Sequence, residues 1–226
     1  AKADGTQYAY GTTDGKVFII DKATGNKLSE FKITKSQIMS LRWAPNTDMI
    51  AYYPKYIPDK DGGEATVIGA FNPNTSADLG HFEGALGCSK FEWSPDGTAL
   101  AGAHSVLGVQ TLSVWNKNFN KLVSMVEQTG YISAIAWSNN GLRIASGADD
   151  STTVIWDWKN NKVERSIIHD NGVSALAYNP DNSILAIGLG KQISKYNTAT
   201  GALIQSYQMT TDFIPYTTSQ MNWSSD

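Results

Sequence analysis

The chain has 226 residues, of which 41% are hydrophobic and 11% aromatic, so it can bury a sizeable core in one or two domains. A formal net charge of −3 and a pI near 5.6 argue against a protein that binds nucleic acid or anionic membranes through broad electrostatic attraction. The single cysteine, Cys88, excludes an internal disulfide, and no apolar run approaches the roughly 18 residues of a membrane-spanning helix.

Two markers recur along the chain at a common period. The first is an aromatic residue at the end of a short apolar segment, and its intervals are 50, 44, 41 and 45 residues. It occurs at Trp43, Trp93, Trp137, Tyr178 and Trp223. The second marker is an apolar or aromatic residue followed by Asp or Asn, at intervals of 51, 44, 41 and 40 residues. It occurs at Ile20-Asp21, Phe71-Asn72, Trp115-Asn116, Trp156-Asp157 and Tyr196-Asn197.

Four short apolar segments separated by turn residues fall within each period. Four strands in a repeat of about 40 to 45 residues are typical of propeller blades, because a small sheet must cover its faces with its neighbours. We therefore predict an all-β protein of four-stranded antiparallel blades with about five repeats. Both a closed five-blade ring and part of a larger propeller fit this pattern.

The repeat boundaries predict one propeller domain over residues 1–226. Ala3-Asp4-Gly5 matches Pro95-Asp96-Gly97, the turn that follows a first strand, so the chain is expected to begin at a second strand. We expect the segment 213–226 to supply the missing first strand. The expected blades cover residues 1–37 completed by 213–226, then 38–84, 85–128, 129–169 and 170–212.

Two long connections are the clearest functional signal from the repeats. YPKYIPDKDGGEA replaces a tight hairpin at residues 53–65, and HSVLGVQ forms an apparent insertion at residues 104–110. Connections at this level of a propeller share one face, and mixtures of aromatic, apolar and charged groups are typical of binding hot spots. The alternative is that these loops only vary in length. The candidate partner-binding residues on this face are Tyr53, Lys55, Tyr56, His104, Leu107, Tyr131 and Asp149.

The fourth repeat, residues 133–163, carries the most recognisable motif. IASGADDSTTVIWDWKNNKV at residues 144–163 resembles a WD40 repeat. The resemblance implies that Ser146, Asp150 and Trp156 join a structural set of hydrogen-bonding residues, with Gln128 where the family has histidine. In the next repeat the resemblance places His169 at the histidine position, while the other three positions hold Ile187, Lys191 and Tyr196.

A search for catalytic or metal-binding patterns gives a negative expectation. His81, His104 and His169 fall in three different repeats without metal-ligand spacing, and Cys88 lies in an apolar strand where a thiol is packed and inert. Asp149 and Asp150 are neighbours on a turn and are expected to point apart. We predict no enzyme activity, no catalytic residue, no cofactor and no metal.

The predicted function is a non-catalytic protein–protein interaction scaffold. A rigid propeller face would hold peptides or other proteins within a larger complex, because a preformed surface loses little entropy on binding. The alternative is a propeller enzyme or small-ligand binder with its site at the central channel. Cysteine usage and the WD40 resemblance together favour an intracellular, cytoplasmic protein without nucleic-acid partners or membrane insertion.

Trp158 follows the second marker of the fourth repeat and is expected on the opposite face of the propeller. An exposed indole there would mark a second contact surface. The other interpretation is that its ring folds back over the edge of the sheet.

Overall fold

The computed structural model describes residues 1–55, 67–88, 90–209 and 221–223. Its regular structure within these ranges is β-strand throughout, arranged in five antiparallel sheets, and the all-β prediction is confirmed. The chain divides into two compact units, the first comprising Ala1–Leu100 and Trp115–Leu122, the second Ala101–Val114 and Val123–Asp226.

The first unit contains the first two sheets. The first sheet consists of β1 (Gln7–Gly11), β2 (Lys16–Asp21) and β3 (Lys27–Lys32). The second sheet consists of β4 (Ile38–Trp43), β5 (Ile50–Pro54), β6 (Val67–Phe71) and β7 (Asp78–Leu86). The third sheet contributes residues to both units and consists of β8 (Lys90–Trp93), β9 (Ala99–Val106), β10 (Val109–Asn116) and β11 (Lys121–Met125).

The second unit contains the last two sheets. The fourth sheet consists of β12 (Ile132–Trp137), β13 (Ile144–Ala148), β14 (Thr152–Asp157) and β15 (Lys162–Ile168). The fifth sheet consists of β16 (Ala175–Tyr178), β17 (Ile184–Leu189), β18 (Gln192–Asn197) and β19 (Leu203–Gln208). Within every sheet each strand pairs with its neighbour in sequence.

The turn after the third strand position of the repeat is closed by a short side chain. In the first sheet, Asp21 Oδ1 accepts a hydrogen bond from Thr24 N at 2.7 Å, and in the fifth, Asn197 Oδ1 accepts one from Thr200 N at 2.9 Å. Gly201 completes the second of these turns at φ 73°, a conformation that costs glycine little. The Asp or Asn of the second sequence marker therefore fixes where the outer strand begins.

Each unit has its own apolar core. In the first unit, one cluster is built around Val17, Ile50 and Phe71, and a second around Phe82, Trp93 and Trp115. In the second unit the cluster includes Ala145, Ile155, Leu185 and Ile187. Apart from Phe82 on β7 and Trp93 on β8, these side chains come from the middle strands, which explains why those strands read as continuous apolar runs in the sequence.

The first sheet has three strands in the described part of the chain, and β1 forms its edge. Tyr8 and Tyr10 on β1 are 39% and 45% exposed, whereas the corresponding Ile50 and Tyr52 on β5 are buried. The expectation that residues 213–226 supply this strand concerns a segment of which the structure describes only 221–223, and these three residues are not assigned to a strand.

The aromatic residues of the first marker also link successive inner strands. Trp93 Nε1 donates to the carbonyl of Arg42 at 3.0 Å, and Trp223 Nε1 donates to the carbonyl of Ala177 at 3.0 Å. In each case the acceptor directly precedes the aromatic residue of the preceding repeat. Trp43 Nε1 is buried and has no hydrogen-bond partner among the described residues. Trp43 therefore does not repeat the bond to a backbone carbonyl that Trp93 and Trp223 make.

Candidate partner-binding surfaces

The first long connection is described only at its start. Tyr53 lies half-buried on β5, where it packs against the second apolar cluster of the first unit. Lys55 is exposed. The Lys55 backbone N–H donates to the carbonyl of Gln37 at 2.7 Å, which fixes the end of the strand. The third candidate from this connection, Tyr56, lies outside the described residues.

The second long connection is a tight hairpin instead of an insertion. β9 and β10 extend to Val106 and Val109, so only Leu107 and Gly108 form the turn, both at positive φ. Leu107 is fully exposed at the tip, as a contact residue must be.

The prediction that His104 belongs to a surface loop is therefore wrong. His104 is 3% exposed, and its Nε2 lies 2.8 Å from Ser113 Oγ. Ser113 Oγ lies in turn 2.9 Å from Ser124 Oγ on β11. A buried imidazole needs such polar neighbours, so this histidine stabilises the third sheet and is not available to a partner at the surface.

Tyr131 and Asp149 are brought together on the second unit. The Asp149 N–H donates to the Tyr131 carbonyl at 3.0 Å, Tyr131 is 44% exposed, and the Asp149 side chain is also exposed. We call this pair the Tyr131 surface. It combines a large amphipathic ring with a carboxylate, a combination that can both desolvate and orient a bound peptide.

A hydrogen-bonded turn beside the Tyr131 surface fixes its backbone. Asp150 Oδ2 accepts from the backbone N–H groups of Thr129 and Gly130 at 2.8 and 2.9 Å, and its Oδ1 accepts from Thr152 Oγ1 at 2.6 Å. Partial burial raises the pKa of Asp150, but these hydrogen bonds outweigh it and hold the pKa below its usual range. The carboxylate is therefore ionised and fully engaged in the turn.

Gln128 connects this turn to the buried centre of the fourth sheet. Ser146 Oγ donates to Gln128 Oε1 at 2.5 Å and accepts from Trp156 Nε1 at 2.9 Å. Gln128 Nε2 donates to the carbonyl of Thr152 at 3.0 Å. Gln128 thus occupies the position that the WD40 resemblance gives to histidine, with an amide that both accepts and donates.

His169 makes a different set of contacts, one with the fourth sheet and one with the fifth. Its Nε2 lies 2.9 Å from Thr153 Oγ1, and its Nδ1 lies 3.1 Å from the hydroxyl of Tyr196. Ile187, at the position of Ser146, is buried and offers no hydrogen bond, so Tyr196 serves as the partner. Burial lowers the pKa of His169, and the charge of Asp170 partly opposes this shift.

The Trp158 ring folds back against its own sheet. It makes an edge-to-face contact with Trp137 at a centroid distance of 5.5 Å, and its Nε1 donates to the carbonyl of Gly141 at 3.0 Å. Both contacts use the groups through which an exposed indole would bind a partner. Trp158 therefore stabilises the turn, as the second interpretation of the sequence held.

The sequence did not reveal a groove at the fourth and fifth sheets. Its volume is about 330 Å³, and it is lined by Arg143, Glu164, Arg165, Thr198 and Ala199. The lining comes from the start of β13, from β15 and from the turn after β18. Exposed charges at the start of an outer strand are common in sheets, so no sequence pattern distinguished these residues.

The surroundings of a side chain decide whether it can act as a nucleophile or as a metal ligand. Cys88 is fully buried, and burial raises the pKa of its thiol well above the usual range. Over the ranges given above, no three His, Cys, Asp or Glu side chains are grouped so that they could hold a metal ion. In the same ranges no helix has the length and hydropathy that a bilayer-spanning segment requires.

Comparison with known proteins agrees with this architecture. The family described as "WD domain, G-beta repeat" matches residues 119–157. "Cell division cycle 20.5, cofactor of APC complex" from Arabidopsis thaliana is 29% identical over 116 residues, which cover 47% of this chain and 25% of the relative. "APC/C activator protein CDC20" from Saccharomyces cerevisiae is 36% identical over 85 residues, which cover 35% and 14%. "Protein hir-1" from Neurospora crassa is 33% identical over 132 residues, which cover 44% and 13%.

A solved structure extends the similarity to most of the fold. A chain of the "Crystal Structure of Mitotic Checkpoint Complex" matches with a TM-score of 0.72 and 19% identity, over 90% of this chain and 62% of that chain. The matches to the three relatives span only 13 to 25% of their lengths. The sequence match identifies a WD40 repeat at residues 119–157, and the structural match supports the fold class of four-stranded antiparallel blades that the repeats predict.

Proposed function

We propose that this chain is a non-catalytic scaffold that presents a preformed surface to peptides or protein partners within a larger complex. The observation that carries the proposal is the Tyr131 surface, which is exposed and held by a turn whose polar groups are already satisfied. A surface of this kind loses little conformational entropy when a partner binds. Two relatives are named as a cofactor and an activator of a complex, and these names support the same class of function.

The proposal extends to the other exposed candidates. Leu107 at the tip of the β9–β10 hairpin and Lys55 after β5 can add apolar and charged contacts, while the half-buried Tyr53 contributes its exposed part. The partners in this proposal are proteins, because a net charge of −3 gives no general attraction to nucleic acid. The proposed location is intracellular, in the cytoplasm, since the fold has no disulfide to maintain.

Affinity capture with the whole chain tests the Tyr131 surface. We expect Tyr131→Ala to lose specific partners, identified by quantitative mass spectrometry and then tested for direct binding as purified proteins. Tyr207→Ala is the matched control, because Tyr207 on β19 is 42% exposed and belongs to no candidate surface. Equal recovery of every partner by wild type, Tyr131→Ala and Tyr207→Ala would contradict the assignment of this surface.

A further inference from the structure

The groove at the fourth and fifth sheets contains two guanidinium groups and one carboxylate. Arg143 and Arg165 each carry one positive charge, Glu164 carries one negative charge, and the other two lining residues, Thr198 and Ala199, are uncharged. The lining therefore has one positive charge in excess, which a single carboxylate would neutralise.

Arg165 is fixed in place by the turn after β18. Its Nη1 donates to the carbonyl of Thr200 at 2.9 Å, and its Nη2 donates to the carbonyl of Ala199. The arginine stem passes so close to Gly201 that a Cβ there would lie 2.7 Å from Arg165 Cδ. A guanidinium has five N–H donors, and only two are used by these carbonyls, so a preorganised donor edge remains for a ligand.

Arg143 is held by Glu164. Its Nε donates to Glu164 Oε2, and its Nη groups have no hydrogen-bond partner within the described ranges. Outside the lining, hydrogen bonds from Asn160 lower the pKa of Asp157, and the charges of Arg143 and Lys162 add to this shift. The Asp157 carboxylate is thus shared between two cations, and the terminal N–H groups of Arg143 stay available.

We propose that this groove binds the carboxylate of an Asp or Glu side chain in an extended segment of a partner protein. Arg165 and the Nη groups of Arg143 donate to the bound carboxylate, because paired guanidinium donors match its two oxygens. The inference deepens the proposed scaffold function but uses a surface separate from Tyr131.

Capped synthetic heptapeptides test the proposal with the full chain. The sequence Ala-Ala-Val-Glu-Val-Ala-Ala and its Gln counterpart differ only in one charge, and NMR titration at low salt measures both affinities. We expect the Glu peptide to bind at least tenfold more tightly than the Gln peptide, with shifts centred on residues 143, 164, 165, 198 and 199. Arg165→Ala is expected to remove this preference, and Arg165→Lys to restore only part of it.

Two further arms separate the alternatives. Lys195→Ala removes a positive charge outside the groove lining and should leave the preference intact. Tyr131→Ala should also leave it intact, so that this test and the test of the Tyr131 surface can fail independently.

Several results would overturn the assignment. These are equal binding of the Glu and Gln peptides, absence of binding by both, or an unchanged preference in Arg165→Ala with its fold intact by circular dichroism. Tighter binding of a phosphoserine peptide than of the Glu peptide would also overturn the single-carboxylate assignment, because it would show a site built for a larger negative charge.

Discussion

Replacing Ser146 by alanine tests whether the buried network holds the fourth sheet together. The Ser146 hydroxyl satisfies two groups at once, the indole N–H of Trp156 and the amide oxygen of Gln128, and all three side chains are buried. Ser146→Ala leaves the Trp156 indole N–H and the Gln128 amide oxygen without a hydrogen bond. Each buried unsatisfied group costs roughly 1–3 kcal/mol, so we expect the free energy of unfolding to fall by about 2–6 kcal/mol.

Urea denaturation followed by tryptophan fluorescence and by circular dichroism measures this change. The midpoint should fall while the slope stays constant, because the surface exposed on unfolding is unchanged. Ser166→Ala is the matched control, since Ser166 is exposed on β15 of the same sheet. It should change stability by no more than about 0.5 kcal/mol.

A double variant makes the test more specific. Combining Ser146→Ala with Gln128→Leu removes the unsatisfied oxygen as well, so the pair should be less destabilising than the sum of the two single changes. Additive effects, or a loss below about 0.5 kcal/mol for Ser146→Ala alone, would refute the view that these side chains act as one network.

Three other predictions concern stability. Asp150→Ala should destabilise the chain at neutral pH, because the variant loses the acceptor for two backbone N–H groups. The pKa of Asp150 is lowered in the folded chain, so the stability that its carboxylate contributes is complete above the ordinary value of 3.8 and declines as the pH falls below it. Unfolding midpoints of wild type and variant, measured through an acid titration, would show this loss. Burial lowers the pKa of His169, so the contribution of the neutral imidazole to folding stability is complete above pH 6.5 and falls below that pH. His169→Phe should therefore flatten this part of the stability–pH curve. An unchanged slope would contradict the prediction. Trp93→Phe should cost about 1 kcal/mol more than Trp43→Phe, because the Trp93 indole N–H loses its hydrogen bond to the Arg42 carbonyl whereas the Trp43 N–H has no partner among the described residues, and equal losses in chemical denaturation would contradict the prediction.

The repeat architecture was readable from the sequence because packing imposes the same requirement in every sheet. An aromatic residue at the end of the inner strand and a short polar residue at the outer turn recur wherever the same contact recurs. Trp93 and Trp223 show the physical basis, since each donates to the backbone of the preceding inner strand. Periodicity therefore identified the strands even where Ile187 or Tyr178 replaced the usual residue type.

The candidate surfaces were harder to predict, because they depend on contacts between distant parts of the chain. The sequence HSVLGVQ does not reveal that only Leu107 and Gly108 turn, so His104 was expected in a loop. Arg165 and the carbonyl of Ala199 meet across 34 residues, and no local pattern predicts that contact. Tyr131 and Asp149 lie together because they flank β12 and β13, which pair antiparallel, and their role in binding stays a prediction.

The strictly sequential pairing within every sheet has a consequence for how the chain folds. Because each strand pairs only with its neighbours in sequence, the contacts inside a sheet have low contact order and their loops close at little entropic cost. Nucleation can then begin in any one repeat and spread to adjacent ones. The fourth repeat, with its linked glutamine, serine and tryptophan, is well suited to fold early. The order in which the repeats fold would then depend on the stability of each repeat more than on its position along the chain.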